Sequence, residues 1–329
     1  ESAVLNESAL SAAGVTSESK DPDRGTFERD SQGQPTGVCR GVGAFALCLG
    51  LAGRPDFDTQ VEWTAAMMRR LNRLGLVGVI DPGGMGMSPE AYRPIYELWR
   101  RQEMTIRTRI YMMVQGAGNE RVQMREFMKY LHPGFGDDWL KLTGAGEIVS
   151  YGFMDLEGVN PFTVTQEGSE LLEELLVELI EAGWSVHLHA VLRETITAML
   201  DAIERAVKKA PADNVRISLA HAEPITNADL DRVKNLGMGI AIQDRMVFRA
   251  KDSADFWGEE ILRRSPPLRE MLNRGIPVGG GTDATAVSPY DPWRSLWWLV
   301  TGKTLDPGPE RDADQNLTRE EALAAYTSG

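Results

Sequence analysis

The stretch Ser185-Val186-His187-Leu188-His189-Ala190 decides the fold. It is an apolar, strand-like run that carries a histidine near its end, and a helical pattern follows it. Two later stretches have the same form: Ser218-Leu219-Ala220-His221-Ala222-Glu223 and Val278-Gly279-Gly280-Gly281-Thr282-Asp283-Ala284. Runs that are apolar throughout suit parallel strands covered on both faces. A histidine, a later histidine and a still later aspartate at successive strand ends fit the rim of a (β/α)8 TIM-type barrel, where functional groups gather. The chain holds only 4 histidines, so two at such positions carry information.

Outward from these runs, helix and strand alternate from Asp58 onward. Strands are expected at 76–80, 106–114, 139–142, 185–189, 215–221, 238–243 and 276–280. Helices are expected at 59–74, from 88 to about 101, at 120–130, 226–236, 267–273, 291–300 and 318–326. Leu171, Leu172, Leu175, Leu176, Leu179 and Ile180 mark one amphipathic helix, and Ile196, Met199, Leu200 and Ile203 another. The strand at 139–142 reads as short, with a Gly-rich loop running on to 165. An eighth strand would complete a barrel, and the missing unit is the first: the helix at 59–74 precedes any strand of its own. Seven strands leave two apolar edges, so self-association through the gap is expected.

Residues 1–55 do not fit the alternation. They hold a short helix at 8–13, a polar loop, a turn at 33–37 and an apolar run at 42–51. They read as a small α+β accessory segment rather than a barrel element, with Arg54-Pro55-Asp56 the boundary before the barrel at 56–329. The charge of −13 argues against a nucleic-acid partner, which needs clustered Lys and Arg. Cys39 and Cys48 are too few for a disulfide framework or thiolate site; they read as two buried thiols, with one disulfide as the alternative. No run approaches the roughly 18 apolar residues of a membrane helix, and no leader is recognisable, so a cytoplasmic location and no membrane partner are expected.

His189 and His221 end neighbouring strands and can converge on one ion. His187 shares a face with His189 and is either a second ligand or a satisfied core residue. Asp283, after three glycines, is either a ligand that also shuttles a proton or a turn residue. Lys141, on the strand before the long loop, is either a carboxylated, metal-bridging ligand or an ordinary lysine; Glu147 and Asp155 are its rivals. Glu223 either binds substrate or caps the next helix, and Asp81 either lines the site or forms a turn. Gly281, with Gly279 and Gly280, lets backbone approach the mouth, or cradles phosphate. His132 reads as a loop residue, and Trp293, Trp297 and Trp298 as packing rather than a platform.

The chain resembles the metal-dependent amidohydrolase superfamily, in the branch of N-substituted formamide deformylase and exoenzyme-regulatory-protein-like hydrolases. The resemblance is carried by residues 6–15, Arg29-Asp30, 33–38, Leu140-Lys141-Leu142, His187-Leu188-His189-Ala190, His221-Ala222-Glu223, Gly281-Thr282-Asp283-Ala284 and 317–323. It implies His189 and His221 as metal ligands, Asp283 as the metal-proximal general acid/base, Lys141 at the ligand position of the fourth strand, and residues 1–55 as the branch's inserted domain. Three departures stand out. The branch's first-strand His-x-His pair is absent, as are the C-terminal strands of a second domain. Val191-Leu192-Arg193-Glu194 replaces a Gly-Asp-Arg-like run. The chain therefore reads as an internal fragment or a degenerate relative.

The expected function is hydrolysis of a non-peptide C–N bond, in an amide or formamide of a small-molecule substrate, by water activated on a divalent metal. Zinc, as one or two ions, is the expected cofactor. The alternatives are a phosphoesterase on the same barrel and a non-catalytic small-molecule-binding remnant.

Overall fold

Seven parallel strands follow one another in space as they do in sequence. They are β4 (Gly78–Asp81), β5 (Arg107–Met112), β6 (Leu140–Glu147), β7 (Ser185–Ala190), β8 (Ile217–His221), β9 (Gly239–Gln243) and β10 (Val278–Gly281), numbered after three earlier strands. The computed structural model describes residues 2–23, 25–51, 53, 55–84, 87–285 and 287–328. It divides into two compact units, Glu1–Glu62 and Trp63–Gly329, and the helix Phe57–Arg73 crosses the division.

In the first unit, β1 (Ser2–Val4), β2 (Thr26–Arg29) and β3 (Pro35–Arg40) pair antiparallel in the order β1-β3-β2. The turn falls earlier than the expected 33–37, because residues 35–37 already belong to β3: β2 and β3 are joined through residues 30–34, where the Asp30 carboxylate accepts from the backbone N–H of Gln32 and Gln34. The apolar run is the helix Val42–Leu51, and Val15, Phe27, Cys39 and Ala44 form the buried centre. Cys39 and Cys48 are free thiols, but only Cys39 is buried and Cys48 is partly exposed; burial, reinforced by neighbouring Cys48, pushes the Cys39 thiol up to about 11.

The second unit is an α/β layer in which the curled sheet carries helices between its strands. Gln166–Glu181 leads into β7, with the Thr165 hydroxyl capping it by accepting from the N–H of Gly168. Leu172, Leu175, Leu176 and Leu179 are fully buried, as are Leu188 of β7 and Leu219 of β8. Each such leucine contributes about 1.5–3 kcal/mol by leaving water. After β10 come Pro292–Thr301 and Arg319–Thr327, the latter opened by a capping box of Thr318 and Glu321. Trp298 is buried beneath Arg311, whereas Trp293 and Trp297 reach solvent.

The strands depart from expectation in two places. β6 does not stop at 142 but runs on to Glu147. Its glycines look like loop residues, yet they are what the pairing demands. A side chain at Gly144 would strike the backbone of Ser185, and one at Gly146 the carbonyl of His187, both on β7. β4 is not a buried strand: Ile80 is 66% exposed, because among the described residues β4 pairs only with β5. β10, the opposite edge, pairs only with β9. The helices Met246–Trp257 and Glu259–Arg263 had no counterpart in the sequence reading.

Leu188→Ala, in the middle of the sheet, should lower stability by about 2–5 kcal/mol through the cavity it leaves. Ile80→Lys, on the exposed edge, should cost less than about 0.5 kcal/mol and should suppress self-association. Urea unfolding and sedimentation of both variants check this.

Candidate functional site

Because β6, β7 and β8 are parallel and adjacent, their carboxyl ends share one rim. Glu147 pairs in register with Leu188 and His221 with Ala190, so each lies one position off the row of His189; all three nonetheless stand at strand ends, and their side chains reach one point. A ligand atom from each lies within 4.8 Å of the other two. The two imidazoles meet edge to face, with centroids 4.6 Å apart.

The hydrogen bonds assign each nitrogen a task. His189 Nε2 donates to the Leu156 carbonyl at 2.9 Å and lies 3.1 Å from the Asp155 carboxylate. Its Nδ1 is buried without a hydrogen-bond partner, 3.6 Å from Glu147 Oε1. His221 Nε2 stands 3.1 Å from the same oxygen. Ligands about 2.1 Å from a tetrahedral ion are about 3.4 Å from one another, and these separations bracket that value. The donor set of two imidazoles and a carboxylate, with an unpartnered nitrogen aimed inward, fits a divalent cation.

The electrostatics agree. Burial alone would raise the Glu147 carboxyl, but the charges and hydrogen bonds of His189 and His221 outweigh it and hold it well below the ordinary carboxylate range. Burial would likewise depress His189, yet the carboxylates of Glu147 and Asp155 win and raise it to about 10. His187, whose Nδ1 bonds the Ser218 hydroxyl at 2.8 Å, is lowered by burial to about 4 and is a neutral core residue at pH 7.

Asp155, a rival candidate to Lys141, buttresses His189. One oxygen accepts from the N–H groups of Val191 and Leu192, at the start of the helix Arg193–Lys209, while the other faces His189. It thereby occupies the helix N-terminus where Val191-Leu192-Arg193-Glu194 departs from the branch's usual run.

Asp283 follows β10 at the same rim, with φ +53. Crowding strips water from its carboxyl and raises its pKa; His221 opposes this and Glu147 adds to it, so the aspartate is coupled to the cluster. The structure does not bring Lys141 there. Paired with Arg109 at the opposite end of β6, it is roughly 20 Å from Glu147 by strand rise. A strand ending at 142 would put Lys141 near the rim; β6 runs on to Glu147 and leaves it behind. Glu223 is neither a helix cap nor open to substrate: it is fully buried, gripped by Arg245 at 2.6 and 2.9 Å. Thr226 caps the next helix instead.

Asp81 ends β4 and accepts from Gly83 N–H and the Tyr92 hydroxyl, a turn arrangement at the open edge. Gly281 ends β10 at the other edge, and its neighbour Gly280 is glycine because the Tyr326 ring lies against it. Packing thus accounts for Gly280, whereas a Cβ at Gly279 would meet nothing within 4 Å and one at Gly281 only an ordinary contact with Gln243. His132 is an exposed loop residue, its Nδ1 next to the Pro133 carbonyl.

A parallel barrel-type sheet thus brings a carboxylate and two imidazoles together at its carboxyl rim. The chain belongs to the amidohydrolase family, whose profile matches residues 1–329. It is 24% identical to N-substituted formamide deformylase of Arthrobacter pascens, over 98% of this chain and 60% of that protein. In structure it is similar to a metal-dependent hydrolase from Pyrococcus furiosus, with a TM-score of 0.69 and 19% identity over 99% of this chain and 64% of that one. It also resembles an atrazine chlorohydrolase variant from Arthrobacter aurescens complexed with zinc and atraton, with a TM-score of 0.55 and 16% identity over 84% of this chain and 60% of that one. The chain spans about three-fifths of the length of the curated relatives it matches. No helix among the described residues is long and apolar enough to cross a membrane.

Because His189 is raised to about 10 in the metal-free chain, its contribution to stability is fully present below about pH 6.5 and is lost as pH rises through 10. In chelator, the urea midpoint should fall over that window, and His189→Gln should flatten the slope. At pH 7, binding of Zn²⁺ should displace the Nδ1 proton and release about one proton per ion. Calorimetry in buffers of different ionisation enthalpy reads that number; zero would contradict the assignment.

Proposed function

We propose that this chain carries the core of a hydrolase that cleaves a non-peptide C–N bond, in an amide or formamide of a small molecule, with a divalent metal that is zinc. One observation carries the reading: Glu147, His189 and His221 converge at the rim of the sheet with separations that suit an ion, and Asp283 is coupled to all three. The similarity to N-substituted formamide deformylase supports the bond type.

When bound, the ion polarises a carbonyl oxygen and acidifies water. Glu147, His189 and His221 would hold it, with Asp155 and the Leu156 carbonyl fixing the His189 ring. Asp283, with its carboxyl raised above the ordinary range, accepts the proton of the attacking water and returns it to the leaving nitrogen as the C–N bond breaks. The fold reading extends to an eighth strand between β4 and β10. Each of those strands has one unpaired side among the described residues, eight strands close such a sheet, and a strand there would bring further ligands to the rim. Residues 1–55 are, on the same reading, an inserted accessory domain.

Asp283→Asn in the intact protein should lower kcat on a formamide or amide by about 10²–10⁴-fold while leaving the metal in place. Metal content and kcat are measured on one preparation. Unchanged kcat removes Asp283 from the mechanism, and loss of the metal together with activity makes it chiefly a ligand.

A further inference from the structure

Five non-glycine residues among those described have positive φ, and four of them ring the site: Leu156 (+52°), His221 (+68°), Ala222 (+50°) and Asp283 (+53°). Such backbone persists only where surrounding contacts overdetermine it. Two of these strained segments bear on the imidazoles directly. His221 and Ala222 form one corner. Leu156 forms the other, its carbonyl accepting the His189 Nε2 proton.

Each of these two segments is followed at once by a glutamate, and both glutamates end on one guanidinium. Arg245, 1% exposed, lies just after β9. Its Nε and Nη2 donate to the two oxygens of Glu223 at 2.6 and 2.9 Å. Its Nη1 donates to Glu157 Oε2 at 3.1 Å and to the Glu157 carbonyl at 3.3 Å. Arg249 is the second cation on Glu157, at 3.2 Å. The Arg245 fork therefore spans the His221–Ala222 corner and the Leu156 strap, which no backbone pairing links.

We infer that Arg245 is a positioning residue: by clamping Glu223 and Glu157 it sets the separation of the His221 and His189 imidazoles. It does so through other residues, since its donors are committed to carboxylates and a carbonyl. The inference rests on the reading that these imidazoles hold a divalent ion. The planar fork matters as well as the charge, because two carboxylates and a carbonyl are held in fixed directions.

The test uses Co²⁺ as probe, titrated into the wild-type chain and into Glu157→Gln and Arg245→Lys, with the visible absorption spectrum and the urea midpoint recorded for each. Glu157→Gln removes only the charge of the partly exposed arm, so it keeps the test decisive if Arg245→Lys does not fold. We expect both variants to bind Co²⁺ about 10–100-fold more weakly, the size typical of lost outer-shell support. The absorption bands should shift, and Glu157→Gln should keep a near-wild-type urea midpoint. Folded variants with wild-type affinity and spectrum would overturn the inference and leave Arg245 a structural ion bridge. A wild-type chain that binds no Co²⁺ would overturn the metal reading, and this inference with it.

Discussion

A parallel sheet delivers the ends of all its strands to one side, and everything at this site depends on that constraint. β6, β7 and β8 are consecutive in sequence and adjacent in space. A residue near the carboxyl end of each must therefore approach the others. Strand spacing of about 4.8 Å is too wide for backbone atoms to share an ion but suits side chains leaning together. Glu147, His189 and His221 do that, and one oxygen of the Glu147 carboxylate stands against both imidazoles.

Burying such a cluster is costly unless every charge is answered. His189 is answered twice, by Glu147 and Asp155. Asp155 is answered by two helix N-terminal amides, and Glu223 by Arg245. The result is a continuous shell of charge-assisted hydrogen bonds around a nitrogen, His189 Nδ1, that has no partner of its own. Left-handed backbone at Leu156, His221, Ala222 and Asp283 lies within this shell. Strain there, rather than in the helices or the strand interiors, is what a rim built for function rather than stability would show.

The histidines were readable because each closes an apolar run, a local signal that survives without knowledge of neighbours. Glu147 was harder. Gly144-Ala145-Gly146 resembles a loop by composition, and only the close approach of β7 explains why glycine continues a strand there. Ending the strand early drew attention to Lys141 instead. Glu223 was misjudged for a similar reason: its partner, Arg245, lies a full strand and helix later in the sequence. The exposure of β4 could not be read locally either, since burial of Ile80 depends on whether another strand lies beside it. Periodicity reports what a segment can do, and pairing decides what it does.

The central claim is that two imidazoles and one carboxylate form a single metal-binding point. X-ray absorption at the zinc edge, on the chain loaded with one equivalent of Zn²⁺, addresses it directly. The account requires a first shell of nitrogen and oxygen at about 2.0–2.2 Å, with the outer-shell scattering of two imidazole rings that disappears stepwise in His189→Ala and His221→Ala. A shell of oxygen alone, or sulfur at about 2.3 Å, would contradict it.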